Sequence, residues 1–251
     1  MHVFHSISEL KEGFYKNGQV VQQEQWQSVQ SPDDTFEIHP VLFITEMYYG
    51  AEACRQAYKP QMPWAEDHFQ ERVCGKPLNP GEQYKNWKFY KANKANDKFR
   101  TAGEEQFSHT YMERIWPKQA NRSDSKENHG IRYSLGDLHD VVDLIKRMPN
   151  TRQAFLPIWF PEDTGNHAGV RVPCTLGYHF FHRDGFLDCH YYIRSCDFLR
   201  HFRDDVYLAA RLVGTIIDWG DLNMLPGTLY MHITSLHVFN GEKEMLCMQN
   251  T

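Results

Sequence analysis

Between Arg171 and Phe239 the sequence strings together three long strand-like runs and one long amphipathic helix, and that order leaves few ways to build a core. Arg171 to Phe181 and Phe186 to Arg194 read as strands joined at Arg183-Asp184-Gly185, a hairpin signal. Asp197 is placed to cap a helix. After it, Phe198, Phe202, Val206, Ala209, Leu212, Val213 and Ile216 recur at helical spacing and give one apolar face. Pro226-Gly227 then precede a last strand, Thr228 to Phe239. A helix with a single apolar face must lay it on another element, and the long strands supply the surface. The pattern predicts an α+β domain: a sheet of long strands carrying one long packed helix.

Upstream the signals are shorter. Leu135 to Met148 carries Leu135, Leu138, Val141, Val142 and Ile145 on one helical face, and Pro149 stops it. Ala154 to Phe160 reads as a buried strand. Val20 to Gln30 and Thr35 to Ile38 contain strand-like pieces separated by the turn residues Ser31-Pro32-Asp33-Asp34. Prolines 60, 63, 77 and 80 punctuate short segments. Tyr84 to Ala102, rich in Lys and aromatics, reads as a solvated helix face. The polar run Lys118 to His129 reads as a surface loop between two halves of one domain spanning residues 1–251.

Composition narrows the function. Hydrophobic residues at 41% and charged residues at 24% support a sizeable core. A formal net charge of -5 argues against a protein that coats nucleic acid, although a local phosphate site remains compatible. No apolar run approaches the roughly 18 residues of a membrane span. The N-terminus lacks the basic and apolar regions of an export signal, so the expectation is a cytoplasmic protein, or one of the host cytoplasm if it is viral. The six cysteines include no CxxC pair, and only Cys189-His190 are adjacent, so neither a disulfide framework nor a metal site is expected.

One thiol stands apart. In Val172-Pro173-Cys174-Thr175 a proline fixes the backbone just before a cysteine that opens a strand. Taken alone, the motif reads better as a buried structural cysteine; a nucleophilic thiol needs a nearby cation to lower its pKa, and Arg194 and Arg152 are the candidates. Arg194-Ser195-Cys196-Asp197 sets a guanidinium and a hydroxyl side by side before a helix, which can hold a phosphate but in isolation reads better as a surface Arg followed by a cap. Asp205 lies too far into the helix to cap it, so it is either solvated or committed to a ligand. No hydrolase signature surrounds Cys174.

These motifs, in this order, resemble the thymidylate synthase superfamily. The resemblance rests on Pro173-Cys174, then Arg194-Ser195 and Asp197, then an acid eleven residues after Arg194, then Pro226-Gly227 and Ser235-Leu236-His237-Val238. Asp137 to Trp159 is similar to the family's helix, turn and following strand. Within the superfamily the chain looks closest to the deoxycytidylate (or cytidylate) 5-hydroxymethylases. Thymidylate synthases carry Asn where this chain has Asp205, whereas the hydroxymethylases carry Asp, in a segment resembling Phe202-Arg203-Asp204-Asp205. Cys174-Thr175 is similar to that branch too. In the first half, Asn79-Pro80-Gly81-Glu82 through Trp87 and Tyr111 through Trp116 resemble its segments more loosely, and Glu66 stands near the place of its catalytic Glu.

The change from amide to acid has a physical meaning. Uracil presents an N3–H donor and an O4 acceptor, which one amide satisfies. Cytosine presents an unprotonated N3 and an amino donor, which suit a carboxylate if a proton sits on N3 or on the acid. A carboxylate facing uracil O4 leaves a buried polar group unpaired, at a cost of about 1–3 kcal/mol.

The resemblance implies a large mixed sheet with one long central helix and flanking helices, and a homodimer packed sheet against sheet. It implies 5,10-methylenetetrahydrofolate as the one-carbon donor and a cytidine nucleotide monophosphate as substrate, dCMP or CMP. Cys174 would add to C6, Glu66 would order water and move protons, and Asp205 would read the base. Arg194 and Ser195 would hold the 5′-phosphate, with Arg152 arriving from the second subunit. Tyr111 and Asp197 would lie near base and folate, Trp87 would line the folate site, and His237 would approach the sugar.

Four departures from the family pattern bear on this. Thr151-Arg152-Gln153 offers one arginine where the family has two, and Ser31 to Thr35 has no basic residue where the family has one, Lys16 being a weak substitute. Phe239 replaces a Tyr that would meet the sugar 3′-OH, which opens the choice between dCMP and CMP. Family members usually continue past this point with another strand and a tail over the folate, whereas twelve residues follow Phe239, so less complete exclusion of water is expected. Two other readings stand beside hydroxymethylation: C5-methylation of dCMP or dUMP, and a nucleotide-binding relative without activity.

Overall fold

The structure is a computed structural model that describes residues 1–21, 34–88, 107, 109–118, 136–164 and 172–248. Eight strands form one mixed sheet: β1 (His2–Phe4), β2 (Gln19–Val21), β3 (Thr35–Ile38), β4 (Val41–Glu46), β5 (Phe155–Pro157), β6 (Thr175–Arg183), β7 (Phe186–Asp197) and β8 (Leu225–Phe239). The spatial order is β1-β4-β8-β7-β6-β5, with β7 parallel to β8 and antiparallel to β6. β8 has 15 residues, enough to serve two partners on one edge. Its first part pairs with β4, from Thr228 to Ile233, and its last part with β3, from Leu236 to Phe239. The break between β3 and β4 falls at His39-Pro40, where proline interrupts the ladder.

The helices are α1 (Ile7–Asn17), α2 (Gly50–Tyr58), α3 (Trp64–Arg72), α4 (Tyr111–Ile115), α5 (Leu138–Arg147), α6 (Phe202–Gly220) and α7 (Met245–Met248). α6 is the long one, with 19 residues. It lays Phe202, Val206, Ala209, Val213 and Ile216 on the sheet, all fully buried, against Cys189, Tyr191 and Ile193 of β7 and Leu229, Met231 and Ile233 of β8. Each such side chain contributes about 1.5–3 kcal/mol on burial, so this layer holds the fold together. Val213→Ala would leave a void between helix and sheet. The α+β expectation and the mixed sheet with a central packed helix are therefore observed. No described helix is long and apolar enough to cross a membrane.

Several sequence boundaries move. The hairpin turn is Asp184-Gly185, with φ of 52° and 83°, as a two-residue turn with positive φ at both positions demands. β7 continues past Arg194 to Asp197, and β8 begins at Leu225, before Pro226. Asp197 does not cap the long helix, which starts at Phe202. Asp197 instead accepts from the N–H groups of Leu199 and Arg200, both at 3.0 Å, and closes a turn between strand and helix. The strand expected over 154–160 shrinks to Phe155–Pro157, because the N–H groups of both Ile158 and Trp159 turn to the carbonyl of Leu176, each at 3.0 Å. α5 begins at Leu138, where Asp140 accepts from the N–H of Asp137 at 2.9 Å. Most of the loop expected over 118–129, most of 84–102 and most of 20–30 lie outside the described residues; within 84–102 a short 3₁₀ helix covers Gln83–Asn86.

Candidate active site

Cys174 sits one residue before β6 and is partly exposed, as an attacking thiol must be. Directly after it the ladder slips. Thr175 pairs with Ile193 but Gly177 pairs with Tyr192, so Leu176 is an extra residue. A bulge here re-aims the start of the strand. Arg194 secures the same segment. Its Nε donates to Pro173 O at 2.8 Å, its Nη2 to Val172 O at 3.1 Å, and its backbone N–H to Cys174 O at 2.9 Å. The guanidinium is thus fastened to the two residues before the cysteine, and among the described residues Nη1 donates no hydrogen bond.

From Thr175 a line of hydroxyls runs to the acid on α6. Thr175 Oγ1 donates to Tyr111 Oη at 3.3 Å and lies 2.9 Å from Tyr191 Oη. Tyr191 Oη donates to Asp205 Oδ1 at 3.4 Å, and Cys196 Sγ stands 3.7 Å from Asp205 Oδ2. Burial pushes the Asp205 carboxyl up to about 7, with the charge of Arg72 pulling it the other way. Burial also raises the Tyr111 phenol, with the neighbouring Cys174 acting in the same direction, and it raises Tyr191 strongly. Four elements therefore converge: β6 brings Cys174, α4 Tyr111, β7 Tyr191, Cys196 and Arg194, and α6 Asp205.

The neighbouring acid has another task. Asp204 is buried and accepts from Gln61 N at 2.7 Å and Gln61 Nε2 at 2.6 Å, which ties the turn before α3 to α6. Burial raises it to about 6. Of the two adjacent acids, only Asp205 opens to the hydroxyl line.

A second group lies where β7 and β8 run side by side. Asp197 and His237 are in register, as are Ser195 and Ser235. Burial lifts Asp197 to about 6, against the pull of Arg200, whose Nε stands 3.6 Å away. Burial pushes His237 down to about 4, so it is neutral at physiological pH. Trp87 stacks on His201, the residue before α6, at 4.6 Å between ring centres, with Trp64 at 6.3 Å. These form an aromatic wall beside the start of α6.

Two expected residues are not brought to the cluster. Glu66 on α3 is held by Arg211, whose Nε and Nη2 each donate at 2.9 Å, and by Tyr207 Oη at 2.6 Å. Burial would raise its carboxyl, but the bonds from Arg211, Tyr207 and Gln70 hold it down to about 2. Tyr207 stands two residues after Asp205, roughly 200° round the helix, so Glu66 addresses a different face of α6. Arg152 has an exposed side chain, and its carbonyl accepts from His179 Nε2 at 3.0 Å on the side of the sheet opposite α6. The residues that the sequence did not single out are Tyr191, His68 and Arg72. Tyr191 hides in a buried alternating strand, and His68 and Arg72, four apart on α3, read as two polar residues of a short helix. Among the described residues no group of three or more His, Cys, Asp or Glu is placed to hold a metal ion.

Comparison with known proteins places most of the chain in one family. The family described as thymidylate synthase matches residues 78–250, more than half of the chain. The chain is 30% identical over 105 residues to the thymidylate synthase of Enterobacteria phage T4, a match covering 42% of this chain and 35% of that protein. It is 32% identical over 110 residues to the thymidylate synthase of Listeria monocytogenes serotype 4a (strain HCC23), covering 43% and 33%. The aligned part spans about a third of the length of these relatives. On the family match, with Cys174, Arg194-Ser195 and Asp205 inside it, the chain belongs to the thymidylate synthase family.

Proposed function

We propose that the chain is a single catalytic domain that 5-hydroxymethylates a cytidine nucleotide monophosphate, with dCMP favoured and CMP close behind. The observation that carries the reading is Asp205: a half-buried carboxyl at the end of the hydroxyl line from Thr175, next to Cys174. With its carboxyl raised to about 7, it offers an acceptor to the cytosine amino group and exchanges a proton readily near neutral pH.

The Cys174 thiolate adds to C6, which makes C5 a carbon nucleophile. Arg194 and Ser195 bind the 5′-phosphate, with Arg152 supplied by a second subunit. Tyr111 packs by the base, and His237 approaches the sugar as a neutral imidazole. A flat aromatic wall of Trp87 and His201, with the raised acid Asp197 nearby, fits a pterin, so these residues would hold 5,10-methylenetetrahydrofolate, which supplies the one-carbon unit that water completes as hydroxymethyl. Glu66, tied to Arg211, has no part in this reading.

A homodimer accompanies it. The sheet face opposite α6 carries Phe155, Tyr192, His190, Tyr230 and His232, with His190 stacked on Tyr230 at 4.7 Å and Tyr192 on His232 at 4.7 Å, and Phe155 is 40% exposed. Such a patch on one face favours a partner.

C5-methylation is the second reading, favoured by the names of the relatives, both thymidylate synthases. Mass spectrometry of products from dCMP, CMP and dUMP, each with methylenetetrahydrofolate, separates the two. A hydroxymethyl gain on a cytidine nucleotide that is lost in Cys174→Ala supports our reading. A methyl gain, or activity only on dUMP, refutes it. Nucleotide bound with no product on all three would leave a binding protein.

A further inference from the structure

Arg72, the last residue of α3, is 8% exposed. Its Nε donates to His68 Nε2 at 2.9 Å, and its Cζ stands 4.1 Å from the centre of the Tyr111 ring. His68 is fixed in turn: it stacks on Trp64 at 4.9 Å, and burial pushes it down to about 4, so its ring is neutral and free to accept. Held at its Nε and over an aromatic face, the guanidinium is restrained at both ends of its contact. Its terminal nitrogens donate no hydrogen bond to any described residue, and no described carboxylate forms an ion pair with them. Yet Asp205, Tyr178 and Tyr111 all feel its charge. Tyr111, over whose ring the guanidinium stands, is joined through Thr175 and Tyr191 to the Asp205 carboxyl, and no ion pair links the two charges. A buried guanidinium with open donors calls for an acceptor.

We propose that Arg72 is a base-reading residue, which donates to N3 of cytosine while Asp205 accepts from the N4 amino group. The proposal deepens the cytidine reading above and rests on it. Asp205 as a carboxylate satisfies only half of the cytosine edge, and alone it would need a proton on N3 or on itself. With a fixed donor alongside, neutral cytosine is matched on both atoms. In the same pose uracil sets O4 against the carboxylate and N3–H against the guanidinium, two mismatches. A phosphate is a poorer occupant here, because the Asp205 carboxyl stands on the hydroxyl line that starts at Tyr111, and Arg194 offers a cation elsewhere.

The test is calorimetric binding of dCMP, CMP, dUMP and deoxyribose 5-phosphate to the full chain and to Arg72→Met, Arg72→Lys and Asp205→Asn, each checked by its melting temperature. Arg72→Met is expected to weaken dCMP and CMP at least about tenfold and to leave the baseless sugar phosphate within about twofold. Arg72→Lys, which keeps the charge but loses the planar fork, is expected to fall between, and decides the matter if the Met variant does not fold. Equal loss on nucleotide and sugar phosphate, which is the outcome for a phosphate-holding or merely structural Arg72, overturns the proposal, as does no loss at all. Asp205→Asn separates the layers. If it shifts preference towards dUMP while Arg72→Met leaves the preference unchanged, only the Arg72 assignment fails. If it leaves the preference unchanged, the Asp205 reading fails and takes this proposal with it.

Discussion

A carboxyl buried beside Tyr191 and Cys196 holds its proton more tightly than one in water, and for Asp205 the ordinary value of 3.8 rises to about 7. The unfolded chain releases that proton at lower pH than the folded one. The stability linked to it is fully present below about pH 4 and drains away as pH rises from there to about 7. Asp205→Asn, which never ionises, is therefore expected to melt above the wild type at pH 8, to lose most of that advantage by pH 5 and the rest below about pH 4, followed by thermal unfolding across the range. A gap that widens in acid would contradict the burial argument. At this scale the sequence was most legible where chemistry is local. Cys174, Arg194 and Asp205, singled out by motifs that resemble a family in order and spacing, are drawn towards one group by β6, β7 and α6. Glu66 did not follow, because the direction a side chain takes depends on how its helix is rotated, and α3 is too short and too evenly polar to reveal that. Arg72 escaped for the same reason: a buried arginine and a solvated one look alike in a row of letters.

Between elements, the junction of α3 with α6 carries polar ties beside the buried Ala65 and Phe69. Gln61 fastens to Asp204 and Glu66 to Arg211 and Tyr207. The two ties differ in weight. Asp204→Ala strands two Gln61 donors in a buried place and should cost about 2–3 kcal/mol in urea unfolding. Glu66→Gln loosens a half-exposed ion pair, should cost under about 1 kcal/mol, and should leave turnover within a factor of about three. A collapse of turnover in Glu66→Gln would return that residue to the chemistry. Elements with one apolar face, α5, α6 and the β6–β7 hairpin, were readable because burial writes a period into the sequence. Their ends were not. The long helix starts at Phe202 because Asp197 spends its carboxylate on a turn, and β5 stops at Pro157 because Leu176 bulges towards the following N–H groups. Both outcomes depend on a neighbouring strand that local spacing does not see.

For the molecule as a whole, the sheet has one face under α6 and one face of half-covered aromatics and histidines. The second face shaped the dimer proposal, and Tyr192 near its middle is the place to test it. Tyr192→Asp puts a charge among Phe155, His190 and His232 and should shift the protein from dimer to monomer mass by light scattering, with loss of turnover if Arg152 acts across the interface. Wild-type protein that is active at monomer mass would refute it. The sheet class was legible from the long alternating strands, but not the strand order, since β8 reaches two partners through a corner at His39-Pro40.

The position of β7 has a further consequence. One inner strand, hydrogen-bonded along both edges, contributes Tyr191, Arg194, Ser195, Cys196 and Asp197. The floor of the proposed site is thus already ordered before any ligand arrives, and its entropy was spent when the chain folded. Whatever ordering a ligand still has to impose falls on the walls, on short α3 and α4, which carry Arg72 and Tyr111. Affinity should accordingly be more sensitive to what loosens those two short helices than to any change confined to the sheet beneath them.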